Sequence, residues 1–240
     1  MSVEWLAGAG VIALASFVLG LAGFGIGLVA MALLPFLMSP VTAVVVLTIY
    51  TTVLVLVVLV QVWRDLEPSN VLDLLVGSVL GTPVGVWVLS ALPITTLKRL
   101  IGATLVVIVI LEWARIRPRQ LVGRAWGVGA GVLAGIAGGA VGTPGPPVIL
   151  YATTQNWKPR TFKANLQAFF FLNQVVILVG YWWAGFLNDE VWRLAASFAV
   201  PAVGGAALGM LCFSLFDQRR FRQLVFWLLL VSGVVLLTRG

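Results

Sequence analysis

The chain has 240 residues, of which 61% are hydrophobic and only 10% charged, with a formal charge of +7 and no histidine. A soluble domain carries about 45–50% apolar and about 25% charged residues, so composition alone excludes a soluble globular protein. Runs of around 20 apolar residues, the length that crosses a hydrocarbon core of about 30 Å, recur along the chain and predict an all-α polytopic membrane protein.

The excess of base would suit a nucleic acid. Here, however, the basic residues sit in short loops between apolar runs, where they orient a membrane protein, so no nucleic-acid partner is expected. Cys212 stands alone, which leaves no disulfide or thiol cluster. Without histidine the usual zinc, haem and proton-shuttle ligand is missing. No metal, no cofactor and no enzymatic centre are expected. The first ten residues lack a basic stretch and carry Glu4, so they read as the start of a membrane segment and not as a signal peptide.

In chain order the apolar segments fall at 4–37, 40–63, 71–92, 97–114, 123–154, 161–184, 191–215 and 221–238. The first and fifth are too long for one crossing and are interrupted by glycine. They also match each other: "GLAGFGIG" (Gly20 to Gly27) aligns with "GIAGGAVG" (Gly135 to Gly142) at an offset of 115. The next segments align on "SPVT" and "KPRT" at 119, and Gly81, Gly85 and Ser90 align with Gly205, Gly209 and Ser214 at 124. The pattern predicts a tandem duplication, 1–116 and 117–240, forming one integrated transmembrane domain.

Charge decides how the broken segments are drawn. If each crosses once, the 15 basic residues split 8 to 7 between the two faces, which is no bias. If each goes in and returns as a helical hairpin, eleven of the fifteen share one face and only Lys98, Arg99, Arg193 and Arg239 oppose them. The positive-inside effect therefore favours hairpins. Each half becomes one Gly-broken helical hairpin plus three transmembrane helices, and the two repeats are inverted.

Irregular backbone survives in hydrocarbon only where it is buried in protein or lines a cavity. Two hairpin tips, "GFGIG" and "GGAVGTPGPP", are therefore expected to meet near the bilayer midplane and bind substrate there. Their candidate residues are Gly23, Phe24, Gly25 and Gly27 in the first half and Gly138, Gly139, Gly142, Thr143, Pro144 and Gly145 in the second. Unpaired N–H groups at the start of each returning half-helix attract anions without a buried lysine, and glycine lets backbone approach a ligand closely.

Polar residues inside spans are costly and so point to function or to helix pairing. The sixth segment carries Asn165 and Gln167 at a depth expected to see a tip, with Asn173 and Gln174 beyond them. Its repeat mate carries Thr48 and Thr51. Arg160 and Lys163 mark an anion entrance. None of the acidic residues, Glu4, Asp65, Glu67, Asp73, Glu112, Asp189, Glu190 and Asp217, sits in the middle of a span. Cation-coupled pumps usually keep a carboxylate there, so the expected cargo is a small anion. No ATP-binding motif is present.

The two Gly-rich halves, "GLAGFGIGLVAMALLPFLMSPVTA" and "GIAGGAVGTPGPPVILYATTQNWKPRTFKAN", resemble the TauE/SafE sulfite exporter family over essentially the whole chain. The resemblance implies a multi-pass cell (inner) membrane transporter of a sulfur-containing anion such as sulfite or an organosulfonate. An anion channel, or a membrane protein that handles a lipid or cofactor, is the alternative, and homo-oligomerisation is left open. In the alignment at 115, Phe24 takes the place of Gly139.

The hairpin topology predicts that both termini and the Lys98–Arg99 loop lie outside the cytoplasm. Cysteines introduced near residues 2 and 98 should label only from that side, and one near 119 only from the cytoplasm. Cytoplasmic labelling near residue 2 would rule the topology out.

Overall fold

A chain in hydrocarbon must satisfy its own backbone groups, and all regular structure among the described residues is helical. The structure, a computed structural model, describes residues 3–22, 25–114, 121, 123–212 and 217–240. The first half contains α1 (Val3–Ala22), α2 (Ile26–Leu33), α3 (Pro40–Val62), α4 (Ser69–Ala91) and α5 (Ile94–Trp113). The second contains α6 (Arg124–Val141), α7 (Gly145–Thr153), α8 (Pro159–Trp183), α9 (Asp189–Ser197), α10 (Ala199–Leu211) and α11 (Gln218–Arg239). Among the described residues six helices are long and apolar enough to cross a membrane: α3 with the turn after it, α4, α5, α6, α8 and α11. The chain is an integral, multi-pass membrane protein.

Local sequence explains the boundaries. "SPVT" and "KPRT" both start a helix with proline in its first turn, Pro40 in α3 and Pro159 in α8, where a missing N–H costs nothing. Ser39 adds a cap by accepting the Thr42 N–H at 3.1 Å. Asn188 caps α9 through Val191 N–H at 3.0 Å, with Asp189 and Glu190 in the first turn to complement the helix dipole. The seventh expected segment, 191–215, is not one straight helix. Between α9 and α10 it bends by 44°, because Pro201 would clash with the carbonyl of Ser197 four residues back.

Two compact units draw on both halves of the chain. The first comprises Met1–Leu47, Leu92–Arg115 and Leu187–Gly240, and the second Thr48–Ala91 and Ile116–Phe186. In the first unit α1 packs on α10 and α5 on α11; in the second α4 packs on α6 and α8. Each broken hairpin thus finds its main partner in the third segment of the other half.

Those two packings are the same packing. A Cβ built on Gly81 would overlap Val132 O, and one on Gly205 would overlap Ala13 O. Gly85 meets Ile136 O as Gly209 meets Phe17 O, and Gly139 meets Val86 N at 3.1 Å as Gly20 meets Met210 N at 3.0 Å. Every one of these pairs is related by 119 along the hairpin arm and 124 along its partner. The helix boundaries agree: α1 and α6 end 119 apart, and α2 and α7 begin 119 apart.

The hairpin offset is therefore 119, not the 115 suggested by matching glycines. Glycines in α6 recur every four residues (Gly127, Gly131, Gly135, Gly139), so a slip of one turn still lays glycine on glycine. In the corrected alignment Gly23 corresponds to Gly142, Phe24 to Thr143 and Gly25 to Pro144. Phe24 thus replaces a threonine, not Gly139.

Backbone contact of this kind leaves no room for a side chain. Gly81→Leu drives atoms into the Val132 carbonyl, whereas Gly129→Leu, on the same α6, enters a space with nothing within 4 Å. Overpacking costs about 1–3 kcal/mol or more, so Gly81→Leu should lower the apparent Tm in detergent by about 5 °C or more. Gly129→Leu should leave it unchanged. Equal Tm values for the two variants would show that the α4–α6 contact yields easily.

Candidate functional site

The break in the second hairpin is built by one glycine and three prolines. Gly142, at φ +69° and ψ 19°, ends α6 in the left-handed region, which costs an L-residue with a Cβ about 1–2 kcal/mol. Its N–H donates to Gly138 O at 3.0 Å, and the Thr143 N–H donates to Ala137 O at 3.3 Å. These bonds occupy the Ala137 and Gly138 carbonyls in the last turn of α6. Pro144 then precedes α7, which opens Gly145–Pro146–Pro147.

The chain reverses at this break. Tyr151 Oη lies 3.3 Å from where a Cβ on Gly127 would stand; in one unbroken helix those residues would be about 36 Å apart. Further down, the Leu121 N–H donates to Thr154 Oγ1 at 3.4 Å and Gln155 Nε2 donates to Leu121 O at 3.1 Å. Arg124 and Asp73, paired at 3.0 Å, tie the base to α4. With 18 residues α6 is about 27 Å long, close to the thickness of a hydrocarbon core. Upright, it would carry the tip past the midplane.

The prolines change the expected donor set. An ordinary helix start offers four unpaired N–H groups, but Pro146 and Pro147 have none. The Thr143 and Gly142 N–H groups are already engaged in capping α6. Of the first turn, the Gly145 N–H has no intrahelical acceptor by position. The break thus offers few free backbone donors, and any further donor at the tip is a side chain.

Two side chains can do so. Thr143 is 4% exposed and its Oγ1 has no hydrogen-bond partner. Asn173, on α8, is fully buried; its Oδ1 accepts the Ser78 hydroxyl proton at 2.5 Å, while its Nδ2 has no partner. Asn173 Nδ2 and Pro144 Cβ lie 3.4 Å and 3.1 Å from the same point, the Cβ position of Gly138. A buried donor left unpaired costs about 1–3 kcal/mol. Two such donors beside one backbone break are therefore the strongest indication of a ligand in this unit.

Around them the tip is held firmly. Tyr181 Oη donates to Gly139 O at 2.8 Å and also approaches Gly138 O at 3.4 Å. The Thr48 side chain, expected at the site, hydrogen-bonds Tyr181, so it acts on the tip at one remove. Thr51 is buried on α3 one turn further on. Ser78 and Tyr181 were not singled out by sequence reasoning: a serine among apolar residues and a tyrosine beside two tryptophans carry no pattern of their own.

Asn165 is buried at the base of the hairpin, where its Oδ1 accepts the Glu67 N–H at 3.0 Å and its Nδ2, like that of Asn173, has no partner. Asn173, eight residues and about 12 Å further along α8, occupies the depth expected of Asn165. Gln167 is buried two residues beyond Asn165. Arg160 and Lys163 are exposed in the first turns of α8, an end where the helix dipole disfavours cations. In the first unit Gly25, at φ +94° and ψ 0°, precedes α2, and Gly27 lies inside that helix. Gly23 and Phe24 lie outside the described residues. No group of acidic or cysteine residues that could hold a metal ion occurs among the described residues.

The family model described as Sulfite exporter TauE/SafE matches residues 8–236. No curated protein and no solved structure matches the chain significantly. With that match covering nearly its whole length, the chain belongs to the TauE/SafE sulfite exporter family.

Proposed function

We propose that this membrane transporter is a secondary permease or exporter, in the cell (inner) membrane, for a small sulfur-containing anion such as sulfite or an organosulfonate. The anion binds at the second hairpin tip, against Thr143, Asn173 and the Gly145 N–H. Family membership supports transport. The observation that carries the site is the pair of buried donors, Thr143 Oγ1 and Asn173 Nδ2, that no protein group satisfies. An oxyanion brings several acceptors and no need of a buried cation, so it suits a tip made of neutral donors. Gly138, Gly139 and Gly142 shape the tip, Ser78 fixes the Asn173 amide, and Tyr181 with Thr48 holds the α6 end. Arg160 and Lys163 form the entrance.

Thr143→Val separates a binding role from a packing role by sign. It keeps the shape and removes a hydroxyl that has no protein partner, so stability should hold or rise. Loss of a hydrogen bond to a charged ligand is worth about 1.5–3 kcal/mol, so apparent sulfite affinity in proteoliposomes should fall about tenfold or more. Normal uptake by a well-folded Thr143→Val protein would remove the tip from the binding site.

Lys163→Gln should weaken apparent affinity at low salt and have little effect at physiological ionic strength, where attraction between exposed charges is screened over about 8 Å. Uptake assayed at two salt concentrations checks this. No change at low salt would leave Arg160 and Lys163 as orientation signals only.

A further inference from the structure

The second tip, if it is the anion site just proposed, selects its ligand by charge state. Its donors are all neutral: the Thr143 hydroxyl, the Asn173 amide and the Gly145 N–H. The described charges of this unit lie at helix ends and loops. Lys163 is ten residues from Asn173 along α8, about 15 Å, and Arg124 fourteen from Gly138 along α6, about 21 Å. Arg124 is paired with Asp73; Arg64, Asp65, Glu67, Lys158 and Arg160 stand in or beside the connections between helices. The titratable group that does touch the tip, Tyr181, spends its proton on Gly139 O.

Charge state then follows from scaling. The cost of taking an ion out of water grows with the square of its charge, so a dianion costs about four times as much as a monoanion of the same size. The return from fixed neutral dipoles grows only in proportion to the charge. A cation at the tip would shift that balance, and the tip's own residues provide none. We infer that the tip takes its oxyanion singly charged, as hydrogen sulfite or an alkanesulfonate, and excludes the sulfite dianion and sulfate. A protonated oxygen also finds acceptors there, since the Thr143 hydroxyl can accept as well as donate.

The test uses the full chain in proteoliposomes, with sulfite transport measured across the pH range of its second ionisation. Methanesulfonate, a permanent monoanion, and sulfate, a permanent dianion, serve as competitors. Above that ionisation the apparent KM for total sulfite should rise about tenfold per pH unit, while KM expressed as hydrogen sulfite stays constant. Methanesulfonate should inhibit equally at every pH and sulfate should not inhibit. Sulfate competing as well as methanesulfonate would overturn the inference, as would a flat KM for total sulfite. Methanesulfonate inhibition that weakens in parallel with sulfite would overturn it too, because the titrating group would then belong to the protein. Transport of no sulfur oxyanion at all would instead overturn the proposed function, a distinguishable result.

Discussion

Everything in the second unit rests on the contact between α4 and α6, where backbone meets backbone. Lipid tails are as apolar as leucine, so helices in a membrane associate through close packing and not through escape from water. Gly77, Gly81 and Gly85 on one helix and Gly131, Gly135 and Gly139 on the other present no Cβ at these contacts, so each helix nests against the other's backbone. That grip lets α6 stop at Gly142 and turn back. A hairpin with a broken end has fewer backbone bonds of its own to hold it, and needs a rigid neighbour to keep its shape.

Rigidity at the arm also explains how donors at the tip stay unpaired. A flexible tip would rotate Thr143 or Asn173 toward any nearby carbonyl. Here three carbonyls near the end of α6 already accept a hydrogen bond, Gly138 and Ala137 from the capping N–H groups and Gly139 from Tyr181. Asn173 cannot turn freely while Ser78 holds its Oδ1.

Much of this was legible in the sequence, for reasons that differ by residue. Glycine and proline are so poorly suited to a continuous helix that "GGAVGTPGPP" announces a break, and the break lies where expected. Apolar length gave the helices. The register of the repeat was misread by one turn because glycines spaced by four tolerate that slip; contacts, not identities, fix it. Two of the first three residues of α7 are proline, which removes donors that an ordinary helix start would offer. Asn165 and Asn173 look alike in sequence, and only packing shows that one serves the hairpin base and the other its tip. Ser78 and Tyr181 were invisible because their partners lie 95 and 42 residues away.

The exchange of partners between the two halves bears on how the chain is made. Helix α1 seats its glycine against α10, some 190 residues further along. At about 5–20 residues per second of synthesis, α1 waits roughly 10–40 seconds for that surface to emerge. The second hairpin waits for nothing, since α4 precedes α6 on the ribosome. Two architecturally equivalent arms thus have opposite histories during insertion. One enters a membrane already holding its partner, and the other spends roughly its first 10–40 seconds with its partner-facing side unclaimed.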